Sequence, residues 1–260
     1  MKIFNYILLS FILIIPTAFG DQIPPVSGNL PFKNGEVLKY NLHYGFISGG
    51  MAIITLKQEA LDNKDVFHAT VLAKTTGIVD KIFKVKDIYE SYFDLKTSLP
   101  YKAVRNVSEG NYKLREEVIY NRSDNTINSD RKGIVKVPQN CFDMISALFY
   151  LRRINFSNYK IGDMVYIDTY FDGLFPLYVI YKGKETISTK MGEMRCLKFV
   201  PIVEPGRIFK ENDDMLFWLS DDENKLPISV KFDMIVGSFR CDLVEYQNTK
   251  YEFKSIIKKK

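Results

Sequence analysis

Histidine, cysteine and tryptophan are scarce in this chain: two, three and one among 260 residues. The histidines, His43 and His68, fall short of the three protein ligands that a catalytic zinc requires, and both sit on the polar side of their alternating segments. The cysteines, Cys141, Cys196 and Cys241, lack the close pairs that zinc and thiol-redox motifs use. Two readings of them stay open: a bridge between Cys196 and Cys241, or three buried thiols, since cysteine is among the most buried residue types. Ser146 has no glycine elbow around it, so the sharp turn that exposes a hydrolase nucleophile is missing. The acidic residues Asp213, Asp214, Asp221, Asp222 and Glu223 lack the ligand spacing and central glycine of a calcium loop, and the last three read as a turn. No metal and no cofactor are expected.

Strong charge is also lacking. The formal net charge is +5, with basic residues scattered among acidic ones, so nucleic acid is not an expected partner. Residues 251–260, ending in Lys258 to Lys260, read as a basic, solvated C-terminal tail.

One long apolar run is present, and it stands first. Lys2 precedes the apolar stretch Ile3 to Ile15, Pro16 breaks it, and Ala18-Phe19-Gly20 follows. This is the pattern of a cleavable signal peptide over residues 1–20; at about 13 residues the stretch falls short of the roughly 20 that span a bilayer. The mature chain is expected to begin at Asp21 as one β-rich domain over residues 21–250, soluble after cleavage, in the periplasm or secreted. No cysteine lies near the cleavage point to carry a lipid anchor.

The mature part is rich in apolar and aromatic residues, and its period is two. In Glu36 to Phe46 the even positions Leu38, Tyr40, Leu42, Tyr44 and Phe46 alternate with Lys39, Asn41 and His43, as in a half-buried strand. A Ser48-Gly49-Gly50 turn leads into Met51 to Leu61, and Asn63-Lys64-Asp65 into Phe67 to Ala73. Similar runs continue to Phe239–Tyr246, with residues 126–137 read as one strand. The expectation is a mostly β fold: a large antiparallel curved sheet or open barrel of about thirteen strands. Two helices interrupt it. One is short, around Ile78, Val79, Ile82 and Phe83; the other is a central amphipathic helix from Cys141 to Arg153, with Asn140 as its N-cap.

Tyr44-Gly45, Gly49-Gly50-Met51-Ala52, the run from Asp143 to Arg152, and Trp218-Leu219-Ser220-Asp221-Asp222 followed by Lys225 and Pro227 together resemble the bacterial family called domain of unknown function 3108. Lys225 stands where that family often shows arginine. The resemblance implies a periplasmic β-rich protein of Gram-negative bacteria with no established activity, and it supplies no catalytic residues.

Aromatic abundance is the remaining signal. Strand aromatics either pack a core or line an apolar cavity enclosed by the curved sheet; on the second reading Tyr44, Phe46 and Tyr178 are candidate ligand-binding residues. The functional expectation is a non-enzymatic protein that binds a lipid or other apolar small molecule, or a cell-envelope protein. An assembly role through a sheet edge and a hydrolase with unmarked paired carboxylates are the alternatives.

Overall fold

The computed structural model describes residues 26, 28–202, 215–233 and 237–259. Residues 1–20, read from the sequence as a signal peptide, and Asp21, Asp213 and Asp214 lie outside the described residues.

β1 (Val37–Tyr44) shows how the chain makes its strands: Leu38, Tyr40 and Leu42 point inward while Lys39, Asn41 and His43 point out. An antiparallel meander follows through β2 (Ile47–Leu61), β3 (Lys64–Thr75), β4 (Lys86–Asp94), β5 (Pro100–Glu109) and β6 (Tyr112–Asn121). It ends in two short strands, β7 (Thr126–Ser129) and β8 (Gly133–Lys136), where the sequence pattern predicts one. The turn between them begins where Ser129 Oγ accepts the N–H groups of Arg131 and Lys132. Helix α1 (Gly77–Ile82) joins β3 to β4, and helix α2 (Met144–Arg153) follows β8.

The second half is a return meander: β9 (Met164–Tyr170), β10 (Leu174–Thr189), β11 (Gly192–Pro201), β12 (Met215–Ser220), β13 (Pro227–Asp233) and β14 (Ser238–Gln247). β14 pairs with β1, so both meanders form one antiparallel sheet ordered β8-β7-β6-β5-β4-β3-β2-β1-β14-β13-β12-β11-β10-β9. The basic tail contributes a fifteenth strand, β15 (Ile256–Lys259), paired with the part of β11 that β12 leaves uncovered. The end of the tail is therefore paired in the sheet, with Ile257 and Lys258 exposed.

The sheet does not close into a barrel. β8 and β9 are its ends, and the chain between β8 and α2 lies along β9. The Phe142 N–H donates to the Asp168 carbonyl, and the Phe142 carbonyl accepts the Tyr170 N–H, both at 2.8 Å.

α2 occupies the hollow of the sheet. Asp143, not Asn140, is its N-cap: its carboxylate accepts the N–H groups of Ile145 (2.8 Å) and Ser146 (3.0 Å), while Ser146 Oγ accepts the Asp143 N–H. This reciprocal cap satisfies donors that would be orphaned in the interior. On one side Ile145 and Phe149 pack into a core with Phe32, Phe67, Phe93 and Trp218. On the other, Ala147, Tyr150 and Leu151 pack into a second core with Val165, Phe199 and Leu219. A helix buried on nearly every side separates two cores, and the hollow is filled with side chains.

The two arginines closing α2 are buried as well. Arg152 makes a two-pronged ion pair with Glu36 at 2.6 and 2.9 Å and donates to the Asn224 carbonyl; Arg153 donates to Ser98 Oγ. Among the described residues no helix is long and apolar enough to cross a membrane.

Candidate functional site

The turns at the two ends of the sheet differ in chemistry. At one end they read Asp62-Asn63, Asp94 to Ser98, Asn121 to Asn125 and Asp221 to Lys225, and in the last three the Asp side chains accept backbone N–H groups of their own turns. At the other end stand the β1–β2 turn and α1, which expose Tyr44, Phe46, Ile47, Ile78, Ile82 and Phe83. Phe46 is fully exposed and Ile82 is 79% exposed. Scattered single apolar residues need no explanation, but six gathered on two adjacent elements at one end of the sheet do.

Local packing holds this rim in place. The Thr76 N–H donates to the Gly49 carbonyl at 2.9 Å, and Val79 sits so close to Gly49 that an added Cβ would lie 2.8 Å from it. Thr75 Oγ1 donates to Asp80 at 2.7 Å. Phe83 covers Gly110 in the β5–β6 turn. α1 is thus fixed by Val79 and turns Ile78 and Ile82, one helical turn apart, outward.

At the end of β1, the Tyr44 ring lies over Gly237, whose φ of 73° belongs to the left-handed region. His43 braces the same hairpin, with Nδ1 3.0 Å from the Gly45 carbonyl and Nε2 2.8 Å from the Asp242 carboxylate. Tyr44, Phe46, Ile47, Asp233, Gly237 and Ser238 surround an open concavity of about 590 Å³, a size that accommodates small ligands.

Two of the sequence-predicted ligand residues, Tyr44 and Phe46, therefore meet at the rim, facing outward. Tyr178 is elsewhere. It lies on the outer face of β10, half-buried against Tyr166 of β9 at a centroid distance of 5.1 Å, while its neighbour Val179 points into the second core. The rim residues of α1 carried no signal as a site in the sequence. Their apolar spacing reads equally well as a face packed against the sheet.

A second cleft, about 40 Å³, opens between α2 and the strands β4–β6, lined by Tyr89, Arg105, Glu116, Tyr120, Asp143 and Phe171 among others. It has room for a few waters and none for an organic substrate. Its charged groups serve one another: Arg105 donates to Glu116 at 2.6 Å and to Asp172 at 2.9 Å, and Ser129 donates to Glu116. Asp143 accepts the hydroxyls of Ser91 (2.5 Å) and Ser146 (2.8 Å) besides capping α2. Burial raises its pKa against the opposing effect of these bonds.

The remaining candidate groups are engaged structurally. Ser146 is committed to the cap. His68 lies between Glu59 and Glu90 and stacks on Tyr92. Asp222 Oδ1 organises the β12–β13 turn through Ser220, Asn224 and Lys225, and Oδ2 accepts the Lys254 N–H. Cys196 on β11 and Cys241 on β14 are three strand spacings apart, about 14 Å, so they do not bridge; all three thiols are free. Burial pushes those of Cys141 and Cys196 up to about 12 and that of Cys241 higher still. Among the described residues no group of three or more His, Cys, Asp or Glu side chains is placed to hold a metal ion.

A family model described as "Protein of unknown function (DUF3108)" matches residues 39–244. No match is found among curated proteins. Among solved structures the chain is similar to the crystal structure of a β-barrel-like protein of domain of unknown function DUF1849 from Brucella abortus. The TM-score is 0.54 at 8% identity, covering 83% of this chain and 98% of that one, a likeness of fold alone.

Proposed function

This chain belongs to the DUF3108 family, and from that premise we propose that it is an exported, non-enzymatic protein that binds an apolar, lipid-like molecule at the rim formed by the β1–β2 turn and α1. The observation that carries this reading is the cluster of six exposed large apolar side chains beside an open concavity. Because α2 fills the hollow of the sheet, the ligand binds on the rim, not in an enclosed lumen. The amino-terminal pattern supports export, with a mature chain starting at Asp21. Pairing through a sheet edge has less support: β8 is four residues long, and the chain around Phe142 lies along β9; short or covered edges resist such pairing.

The test is titration of the mature protein with a fluorescent fatty acid in the absence of membranes. Saturable binding is expected, weakened at least tenfold in Phe46→Asp, where a charge replaces a fully exposed ring at no cost to the core. Absence of saturable binding, or binding indifferent to both Phe46→Asp and Ile47→Asp, would refute the reading.

A further inference from the structure

The rim carries a charge pattern as well as an apolar one. Lys81, Lys84 and Lys86 are exposed on and just after α1, and Lys74 stands directly opposite Lys86 in the β3–β4 ladder. Like charges directly opposed across a ladder are unfavourable unless a counter-charge compensates them. Among the described residues no ion pair does so for any of these four lysines.

Among the described residues the nearby acids are buried or already bonded. Asp80 accepts the Thr75 hydroxyl. Asp87 is buried and accepts the Ser108 N–H at 2.8 Å. Glu109 is buried, and Asp233 pairs with Lys231 at 2.6 Å. Among the described residues, this end of the sheet thus presents exposed apolar side chains together with four lysines that have no ion-pair partner. Its most prominent groups, Phe46, Ile78 and Ile82, project outward, which suits insertion into a soft surface better than reception of a rigid one.

We infer that this rim docks on an anionic lipid bilayer, with Phe46, Ile47, Ile78 and Ile82 entering the boundary between headgroups and acyl chains and Lys74, Lys81, Lys84 and Lys86 meeting lipid phosphates. The inference rests on the reading of the rim as the binding surface and names the source of its ligand. An apolar face combined with lysines is the chemistry of interfacial binding. Each lysine near an anionic surface strengthens partition by about fivefold.

The test is co-sedimentation of the mature full chain with phosphatidylcholine vesicles, with and without phosphatidylglycerol. Binding is expected only to the anionic vesicles and should fall steeply as salt is raised. Lys81→Glu with Lys84→Glu should weaken it more than tenfold. Ile82→Asp should do the same through the apolar side. All three positions are exposed, and an unchanged thermal midpoint serves as the folding control, with Lys81→Gln and Lys84→Gln as milder variants.

Equal binding to neutral vesicles, or binding insensitive to the lysine reversals, would overturn the proposal. So would self-association through the rim without vesicle binding. Fatty-acid binding in solution without vesicle binding would overturn the docking and leave the ligand reading standing; failure of both assays would remove both.

Discussion

Arg152 and Glu36, 116 positions apart in sequence, meet in a two-pronged ion pair with both side chains about 1% exposed. The guanidinium also donates to the Asn224 carbonyl and lies 5.2 and 5.3 Å from the Phe32 and Phe149 ring centroids. The pair ties the end of α2 to the start of β1 and to the β12–β13 turn. Removing one partner leaves a buried charge without compensation, so Arg152→Ala is expected to cost about 3–5 kcal/mol. The double replacement Arg152→Met with Glu36→Leu should recover most of that loss. Urea denaturation with an unchanged slope measures both; a loss under 1 kcal/mol for the single variant would show that the pair is not important to the fold.

Phe149 stands among Phe32 and Phe93 at centroid distances of 4.9 and 5.2 Å, and it is 1% exposed. Phe149→Ala should therefore cost about 3–5 kcal/mol, from lost transfer energy and the cavity left behind. Leu148 is half-buried but touches both cores, and Leu148→Ala should fall near 2 kcal/mol, the low end for such changes. Chemical denaturation of the two variants side by side checks the order. If Leu148→Ala proved the more damaging, α2 would not be seated as described.

Periodicity made most of this sheet legible. Leu38, Tyr40 and Leu42 fall inward as their alternation requires. The parity then extends too far. The buried set ends at Leu42: Tyr44 is the last residue of β1 and Phe46 lies in the turn beyond it, so both are outside although they continue the same even-numbered set. The sequence pattern places the cap of α2 three residues early because Asn140 and Asp143 are both good caps; only the Ser146 hydroxyl and backbone choose between them.

The rim of α1 was hidden for another reason. Six residues with Ile78, Val79 and Ile82 look alike whether the isoleucines pack or project, and the deciding contact, Val79 on Gly49, is non-local. The segments that carry the family resemblance proved architectural. Asp143 and Arg152 bound α2, Asp222 builds a turn, and Arg152 reaches the Asn224 carbonyl beside it.

Two carboxylates should give opposite pH dependences. Burial raises the Asp143 pKa, outweighing its hydrogen bonds to Ser91, Ser146 and Ile145. The native state then holds a proton that the unfolded chain, with an aspartate pKa of about 3.9, has lost. The stability contribution is fully present below that value and declines as pH rises through the raised native pKa. Burial also pushes Asp94 upward, but the Thr97 and Lys96 N–H groups and the Thr97 and Tyr101 hydroxyls outweigh it and hold the pKa low. Its contribution is present above the ordinary value and is lost as pH falls through the native one. Relative to the parent, Asp143→Asn should gain stability as pH rises from the acid side, and Asp94→Asn should lose it. Urea midpoints across a pH series would contradict this if both variants drifted in the same direction.

The last prediction joins fold to rim. Gly237 adopts a φ of 73° directly beneath the Tyr44 ring, and an added Cβ there would run into the phenol. Gly237→Ala therefore meets two penalties: the left-handed backbone, about 1–2 kcal/mol for a residue with a Cβ, and displacement of Tyr44 from its seat. Only the second depends on the aromatic ring. In a Tyr44→Ala background the same glycine substitution should cost less, with a coupling of at least about 0.5 kcal/mol, as for residues in direct contact. Because Tyr44 borders the concavity beside Phe46, Gly237→Ala should also weaken fatty-acid binding when Tyr44 is present and have little further effect when it is absent. Strictly additive stabilities across the cycle would mean that the ring does not rest on Gly237, and the rim geometry derived from that contact would have to be redrawn.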